Sequence, residues 1–183
     1  MKGEYDVVII GGGPIGSIAS LLLEAKGLSV ALIERNTVPY PFPRAIALNG
    51  FSMGLIKDLI GPELWSEFEF TPGIHVGYVL NKDKMDEPFG LMQPPVIEGK
   101  ILDNDSFGFL NWFNQPQLEG LLRRSIEDRD GITTLYGHEA LVLWEDDLNF
   151  VRVQELSTGE SFDISGKYLL GADGGGSFVR KQM

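Results

Sequence analysis

Residues 6–16 read DVVIIGGGPIG, and this stretch decides the fold. The β-branched apolar run at residues 7–10 predicts a buried strand that stops at three glycines, after which helical spacing begins. Gly11, Gly13 and Gly16 form the pattern G-x-G-x-x-G. In such a strand, turn and helix, the first glycine permits the turn, the second lets a diphosphate approach the backbone, and the third lets helix and strand pack closely.

The helix is predicted to begin at Pro14 and Ile15, which follow the second glycine of the pattern. Proline suits the first helical position because its missing N–H would have no partner there. A helix N-terminus carries about half a positive charge and several unpaired N–H donors. We therefore expect a nucleotide diphosphate to be held here by the backbone and the helix dipole, and not by lysines.

A second strand ends in an acid. Gly27 is predicted to end the helix in a left-handed conformation, and the apolar run at residues 28–33 leads to Glu34 and Arg35. Glu34 lies in the window, about 20 residues after the glycines, where a carboxylate accepts both hydroxyls of an adenosine ribose. Such a carboxylate repels a 2′-phosphate, which favours FAD or NAD over NADP. The alternative is a solvated acid in a loop.

Composition limits the classes of function. The 183 residues are enough for one domain, or for one domain and part of another. A net charge of −11 argues against nucleic acid and anionic membranes as partners, and the lack of cysteine excludes disulfides, thiolate metal sites and a redox-active cysteine pair. The N-terminus has no signal-like segment, and no apolar run reaches the length of about 18 residues that suggests a membrane span. We expect a cytoplasmic protein.

The middle of the chain changes character twice. Residues 36–44 hold three prolines and predict a loop that ends at Arg44, which either reaches the ligand or is solvated. From Thr71 an alternating pattern predicts a half-buried strand, and residues 71–109 indicate a small inserted sheet. Asp103, Asn104 and Asp105, and the acids at residues 145–147, are predicted to lie in solvated turns, so no metal site is expected.

The last third returns to the first pattern. A helix is predicted from Gln115, with Leu118, Leu122 and Ile126 on one face and Arg123 on the other, polar face. Residues 132–136 add a third parallel strand, and residues 140–144, 150–156 and 161–164 form an antiparallel meander. A separate strand at residues 167–170 then enters a second glycine turn, and we expect the apolar residues 178–179 beyond it to lack most of their packing.

Three separated signals carry a resemblance to a known family: GGGPIG with Glu34, Pro-Arg-Ala at residues 43–45, and GADGGGSFVR at residues 171–180. Together they resemble the FAD-dependent aromatic hydroxylases of the p-hydroxybenzoate hydroxylase fold, most closely the 3-(3-hydroxyphenyl)propionate and phenol hydroxylase branch. The resemblance implies an α/β, Rossmann-like FAD-binding fold, with a βαβ parallel sheet, a β-meander crossover and part of an inserted substrate-domain sheet. The predicted parts are residues 1–70 and 110–183 for FAD binding and residues 71–109 for the insertion. The later Gly-Asp motif of the family is missing.

The resemblance also implies roles for single residues. Asp173 and Gly174 would serve the flavin diphosphate and the use of nicotinamide, with Ser177 and Arg180 completing that pattern. Gln115 would lie near the ribityl chain and Arg44 beside the flavin, and the backbone of Ala140 would meet adenine. The predicted cofactor-binding residues are Gly11, Gly13, Pro14, Ile15, Gly16, Glu34, Arg35, Arg44, Gln115, Ala140, Asp173 and Gly174.

The implied reaction is hydroxylation of a small phenolic substrate by NAD(P)H and O2 on FAD. No catalytic acid or base can be named, and we expect these 183 residues alone to be inactive. One alternative is a non-catalytic nucleotide-binding module, or a half-protein whose partner is the missing C-terminal part or a second copy. An NAD-linked dehydrogenase is disfavoured because the meander replaces a helical crossover and GADGGGSFVR would have no role.

Overall fold

The sequence folds into alternating strands and helices. In this computed structural model the described residues are 3–42, 44–73, 77–79, 90–92, 96–97, 100–101 and 110–183. In chain order the elements are β1 (Glu4–Ile10), α1 (Pro14–Glu24), β2 (Val30–Glu34), β3 (Ala47–Asn49), α2 (Gly50–Glu67), β4 (Phe70–Gly73), β5 (Gly77–Val79), β6 (Gly90–Met92), β7 (Val96–Ile97), β8 (Lys100–Ile101), β9 (Leu110–Phe113), α3 (Gln115–Glu127), β10 (Ile132–Tyr136), β11 (His138–Glu145), β12 (Asn149–Glu155), β13 (Ser161–Gly171) and α4 (Val179–Gln182).

Six strands form one sheet in the order β10-β2-β1-β13-β12-β11. The first four are parallel neighbours, and β11, β12 and β13 pair antiparallel. The predicted βαβ unit, the third parallel strand and the meander are therefore confirmed. This order places the carboxyl ends of β1, β2 and β13 side by side, which is the edge where ligands bind in open α/β sheets.

The last strand differs from the sequence prediction. Residues 161–164 and 167–170 are not two strands but parts of the single strand β13. Its first half pairs with β12 and its second half with β1, and Ser165 and Gly166 pair with both neighbours. The Ser-Gly pair suggests a break, yet hydrogen bonds on both sides hold it extended. Gly166 also permits close approach, since a Cβ there would lie 2.9 Å from a methyl of Val8.

The core lies on both faces of the parallel strands. Side chains alternate along a strand, so Val8 and Ile10 share one face with Ala31 and Ile33 of β2. This face packs against the meander and α4, through Ala140, Val151, Val153, Ile164 and Val179. The expectation that residues 178–179 lack packing is wrong, because Val179 is buried in this cluster and Phe178 packs against it.

The other face of the strands contacts helix α1, which runs along β1, β2 and β10. Helix α1 ends at Glu24, and the chain then turns through the predicted left-handed Gly27, where the N–H of Leu28 donates to the carbonyl of Leu23 and the N–H of Gly27 to that of Glu24. In α3 the predicted apolar face is buried, but Arg123 is buried as well, with 7% of its surface exposed. The prediction that Arg123 lies on the polar outer face is wrong.

By internal contacts the chain divides into two compact units, residues 1–42 with 116–183, and residues 43–115. The second unit holds the sheet β3-β9-β4 and helix α2, which bends at Gly61 and is capped by the side chain of Asn49. Two further strand pairs, β5-β6 and β7-β8, lie in the predicted insertion. The predicted domain limits at residues 70 and 110 stay a prediction, and the turn at residues 103–105 lies outside the described residues.

Two findings concern particular classes of site. Among the helices of the described residues, none is both long and apolar enough to cross a bilayer. Within the same ranges, no three His, Cys, Asp or Glu side chains lie together as a metal ion would require. The acids at residues 145–147 lie at the hairpin between β11 and β12.

Candidate nucleotide site

The first glycine turn connects β1 to α1, and two of its glycines are required by the chain itself. Gly11 has φ of +107°, and a Cβ on it would lie 2.4 Å from the carbonyl oxygen of Ala172. A Cβ on Gly16 would lie 1.8 Å from the carbonyl oxygen of Gly11. Neither position can hold a side chain without moving backbone, so the predicted close packing of helix and strand is present.

Gly13 is different from its two neighbours in the pattern. A Cβ built on it meets nothing within 4 Å, and its φ of −73° is open to any residue. The fold therefore does not require glycine at this position. Its small size leaves free space directly in front of the helix.

The free space faces an uncapped helix start. Gly13 is the N-cap of α1 and makes no side-chain cap, Pro14 lies in the first turn, and that turn holds no acid. Because the first N–H groups of a helix have no partner inside it, this end presents donors and partial positive charge. Ile15 lies in this first turn with 71% of its surface exposed. The arrangement suits an anionic group such as a diphosphate.

Glu34, at the end of β2, is tied to the glycine turn. Its Oε2 accepts a hydrogen bond from the backbone N–H of Gly12 at 2.7 Å. Its Oε1 accepts from the backbone N–H of Asn36 at 2.8 Å and from the Asn36 side chain at 2.6 Å. A carboxylate offers about four acceptor positions, and three are used here. The exposed Arg35 follows at the same edge.

The second glycine turn lies against the first. The N–H of Ala172 donates to the carbonyl of Ile10 at 2.7 Å, so the ends of β13 and β1 continue side by side into the two turns. The two turns are about 160 residues apart in the sequence. They are neighbours in the structure because β1 and β13 pair in parallel. The sequence prediction brought these turns together only through the family resemblance.

The carboxylate of Asp173 is engaged in hydrogen bonds to its own turn and to the start of α4. It accepts hydrogen bonds from the Ser177 hydroxyl and from the backbone N–H groups of Phe178 and Val179, which begin α4. Burial works to raise the pKa of Asp173, but the hydrogen bonds from Ser177 and the backbone outweigh it and lower the pKa. The group is therefore a charged helix cap. Gly174, beside it, has φ of +81°.

Ser177 and Arg180 complete the second turn. The Ser177 hydroxyl accepts from the backbone N–H of Arg180 at 3.0 Å. The guanidinium of Arg180 donates to the carbonyl of Gly175 at 2.7 Å. Both residues that the family pattern adds to Asp173 therefore hold the shape of this turn.

Three predicted residues belong to other segments of the chain than the two turns. Ala140 is a buried residue of β11, at a register shift in its pairing with β12. Arg44 and Gln115 belong to the unit of residues 43–115 and meet there: Oε1 of the buried Gln115 accepts from the backbone N–H of Arg44 at 3.1 Å and of Ala45 at 2.7 Å. Gln115 thus orders the backbone at Arg44 across 71 positions of sequence.

A cavity of about 460 Å³ opens at the carboxyl edge of β2 and β10. It is lined by the loop at residues 35–41, by Tyr136 and Gly137, and by residues 155–157. Sequence reasoning gave no role at this edge to Gly12, Asn36, Ala172 or Arg123. Gly12 and Ala172 had a local signal, since each lies inside one of the two glycine motifs.

These features define a nucleotide-binding α/β domain in which two glycine turns meet at the carboxyl edge of the sheet. The open helix start suits a diphosphate, and the acid one strand away suits a ribose. The chain belongs to the FAD binding domain family, whose model matches residues 4–183.

Two relatives that the chain matches carry the names of aromatic hydroxylases. The chain is 29% identical over 182 residues to 3-(3-hydroxy-phenyl)propionate/3-hydroxycinnamic acid hydroxylase 1 of Burkholderia vietnamiensis, covering 98% of this chain and 28% of that protein. It is 30% identical over 194 residues to a probable NADH-specific resorcinol 4-hydroxylase of Rhodococcus jostii, covering 98% of this chain and 32% of that protein. The chain thus spans about three-tenths of the length of these relatives.

A solved structure agrees with the fold. The flavin-dependent monooxygenase PieE, solved in complex with FAD and substrate, superposes with a TM-score of 0.75 at 26% identity, covering 98% of this chain and 32% of PieE. The predicted FAD-binding α/β fold and the family resemblance are confirmed.

Proposed function

We propose that this chain holds FAD across its two glycine turns, as the FAD-binding part of a monooxygenase that hydroxylates a phenolic compound with NAD(P)H and O2. Family membership supports FAD, and the names of the relatives support the reaction and the nicotinamide co-substrate. The observation that carries the proposal is the free space at Gly13, in front of an uncapped helix start. This space lies at the N-terminus of α1, which carries partial positive charge, and the fold does not fill it. It therefore suits the diphosphate of a dinucleotide.

The residues present fit this group. The diphosphate would lie at the backbone of Gly13, Pro14, Ile15 and Gly16, with Gly11 shaping the turn. Asp173 would act through the shape of the second turn, since its carboxylate is engaged in capping α4, and Gly174 would provide close approach. When bound, FAD supplies the electron transfer between NAD(P)H and oxygen on which hydroxylation depends.

Glu34 would hold the adenosine ribose. One of its acceptor positions is left for a ribose hydroxyl, and a second hydroxyl would replace a donor of Asn36. Arg35 and the backbone of Ala140 would lie toward adenine. Arg44 and Gln115 would serve the flavin side of the site. The proposal includes the cytoplasmic location predicted from the sequence.

The proposal is tested by measuring which nucleotide the chain binds. The purified chain is mixed with FAD, FMN, NAD or NADP, and affinity is measured by flavin fluorescence or calorimetry after the visible spectrum is recorded. We expect one FAD per chain, with affinity far above that for FMN, which lacks the ribose that Glu34 would bind. Binding of NAD without FAD would favour a dehydrogenase, and FAD binding without any oxidation of NAD(P)H would favour a non-catalytic module.

A further inference from the structure

Arg123 is a buried cation whose position the sequence did not predict. Only 7% of its surface is exposed. Its guanidinium donates to the backbone carbonyl of Thr37 at 2.8 Å and to that of Asn36 at 3.4 Å. Its central carbon lies 4.3 Å from the centre of the Tyr136 ring. Burying a charge is costly unless it is well hydrogen-bonded, so the placement calls for a reason.

The two carbonyls belong to the loop that follows Glu34. The same Asn36 donates its backbone N–H and its side-chain amide to Oε1 of Glu34. The other carboxylate oxygen accepts from the N–H of Gly12 in the first glycine turn. A continuous set of hydrogen bonds therefore runs from α3 through Asn36 and Glu34 to the turn.

The loop also contacts the turn that follows β10. A Cβ on Gly137 would lie 3.1 Å from a methyl of Thr37, so Thr37 is seated closely on the residue after Tyr136. This contact restrains one side chain of the loop. Arg123 restrains the loop's backbone, because it donates hydrogen bonds to two successive carbonyls and so fixes the direction of the chain there. The planar guanidinium can donate to both carbonyls while it stacks on the ring, and a lysine cannot do both.

We infer that Arg123 is a positioning residue of the nucleotide site: it fixes the loop at residues 36–38 and, through Asn36, the orientation of the Glu34 carboxylate. The inference rests on the proposed FAD binding in one respect, since the oriented Glu34 carboxylate would bind the adenosine ribose of FAD. The geometry of the loop is independent of any ligand. Each part is therefore tested separately.

The first test needs no ligand. Amide hydrogen exchange is measured on wild type, Arg123→Met and Arg123→Lys, with Arg124→Met as the matched control on the exposed side of the same helix. We expect exchange at the N–H groups of Asn36 and Gly12 to rise several-fold in both Arg123 variants and to stay unchanged in the control. The N–H of Val30, which bonds to Gly131 in the sheet, is the internal reference. Equal increases at all three amides, or none, would overturn the inference.

The second test uses FAD. We expect Arg123→Met to weaken FAD binding about tenfold, Arg123→Lys to weaken it less, and Arg124→Met to leave it unchanged. If Arg123 acts through Glu34, the loss on Arg123→Met should nearly vanish in a Glu34→Ala background. A loss of the same size in both backgrounds would show that Arg123 acts by another route and would overturn the inference.

The two proposals fail in different ways. If the wild-type chain binds no FAD, the proposed function is wrong, and the exchange measurement still decides whether Arg123 fixes the loop. If wild type binds FAD and the Arg123 variants bind it equally well, the proposed function stands and the inference is wrong. The lysine variant keeps the charge and a donor, so it covers the case in which the methionine variant does not fold.

Discussion

The glycines of the first motif, Gly11, Gly13 and Gly16, differ in what surrounds them. Gly11 and Gly16 are packed against backbone, at distances that no Cβ tolerates, while Gly13 faces open space. Motif matching treats the three alike. The structure separates two residues at which the fold requires glycine from one at which it does not, and we propose that the diphosphate lies at this third glycine.

Gly16→Ala should destabilise the chain, because the added methyl would meet the carbonyl oxygen of Gly11 at 1.8 Å. We expect a loss of about 1–3 kcal/mol in the free energy of unfolding, as for other overpacked sites. Gly120→Ala is the matched control, since Gly120 lies inside α3 and a Cβ there meets nothing within 4 Å. It should stabilise by about 0.5–1 kcal/mol, since alanine favours helix more than glycine does. Urea denaturation measures both, and a neutral Gly16→Ala would contradict the close packing.

At the scale of elements, Asp6 fastens β1 to its surroundings. Its carboxylate accepts from the backbone N–H and hydroxyl of Ser29, before β2, and from Lys167 of β13 at 2.7 Å. The hydrogen bonds from Lys167 and Ser29 lower the pKa of Asp6 from 3.8 to about 2. One partly buried carboxylate thus links β1 to the residue before β2 and to the middle of β13.

This pKa predicts a pH dependence of stability. A carboxyl group whose pKa is lower in the folded state stabilises the fold fully above its unfolded value, near 3.8, and loses this contribution as pH falls toward about 2. Asp6→Asn should therefore be less stable than wild type at pH 5–7 by a constant amount, and the difference should shrink below about pH 4. Denaturant unfolding across pH measures it. A difference that stays constant down to pH 2 would exclude this role for Asp6.

Local signals predicted the elements that begin the chain, and distant contacts decided the rest. The strand at β1, Pro14 at the helix start and Gly27 at its end depend on neighbours in sequence, so periodicity and turn chemistry identify them. The continuity of β13 depends on strands on both sides of Ser165 and Gly166, and the burial of Arg123 depends on a loop 86 positions away. No single-sequence pattern carries such pairings.

At the scale of the whole molecule, the chain spans about three-tenths of its hydroxylase relatives. Flavin hydroxylation needs a pocket that keeps water from the reacting groups. We therefore expect the 183 residues alone to bind FAD and to form no hydroxylated product. Oxygen and NADH consumption with a panel of phenols and phenylpropionates, with products separated by chromatography, tests this. Stoichiometric hydroxylated product would show that these residues suffice.

The central claim is that the space at Gly13 is the place of a bound diphosphate, and Gly13→Val tests it most directly. A side chain there meets no protein atom within 4 Å at its Cβ, so the variant should fold, with unfolding free energy within about 1 kcal/mol of wild type. FAD affinity, measured by calorimetry on both proteins, should fall below detection. A folded Gly13→Val chain that binds FAD as wild type does would contradict the account.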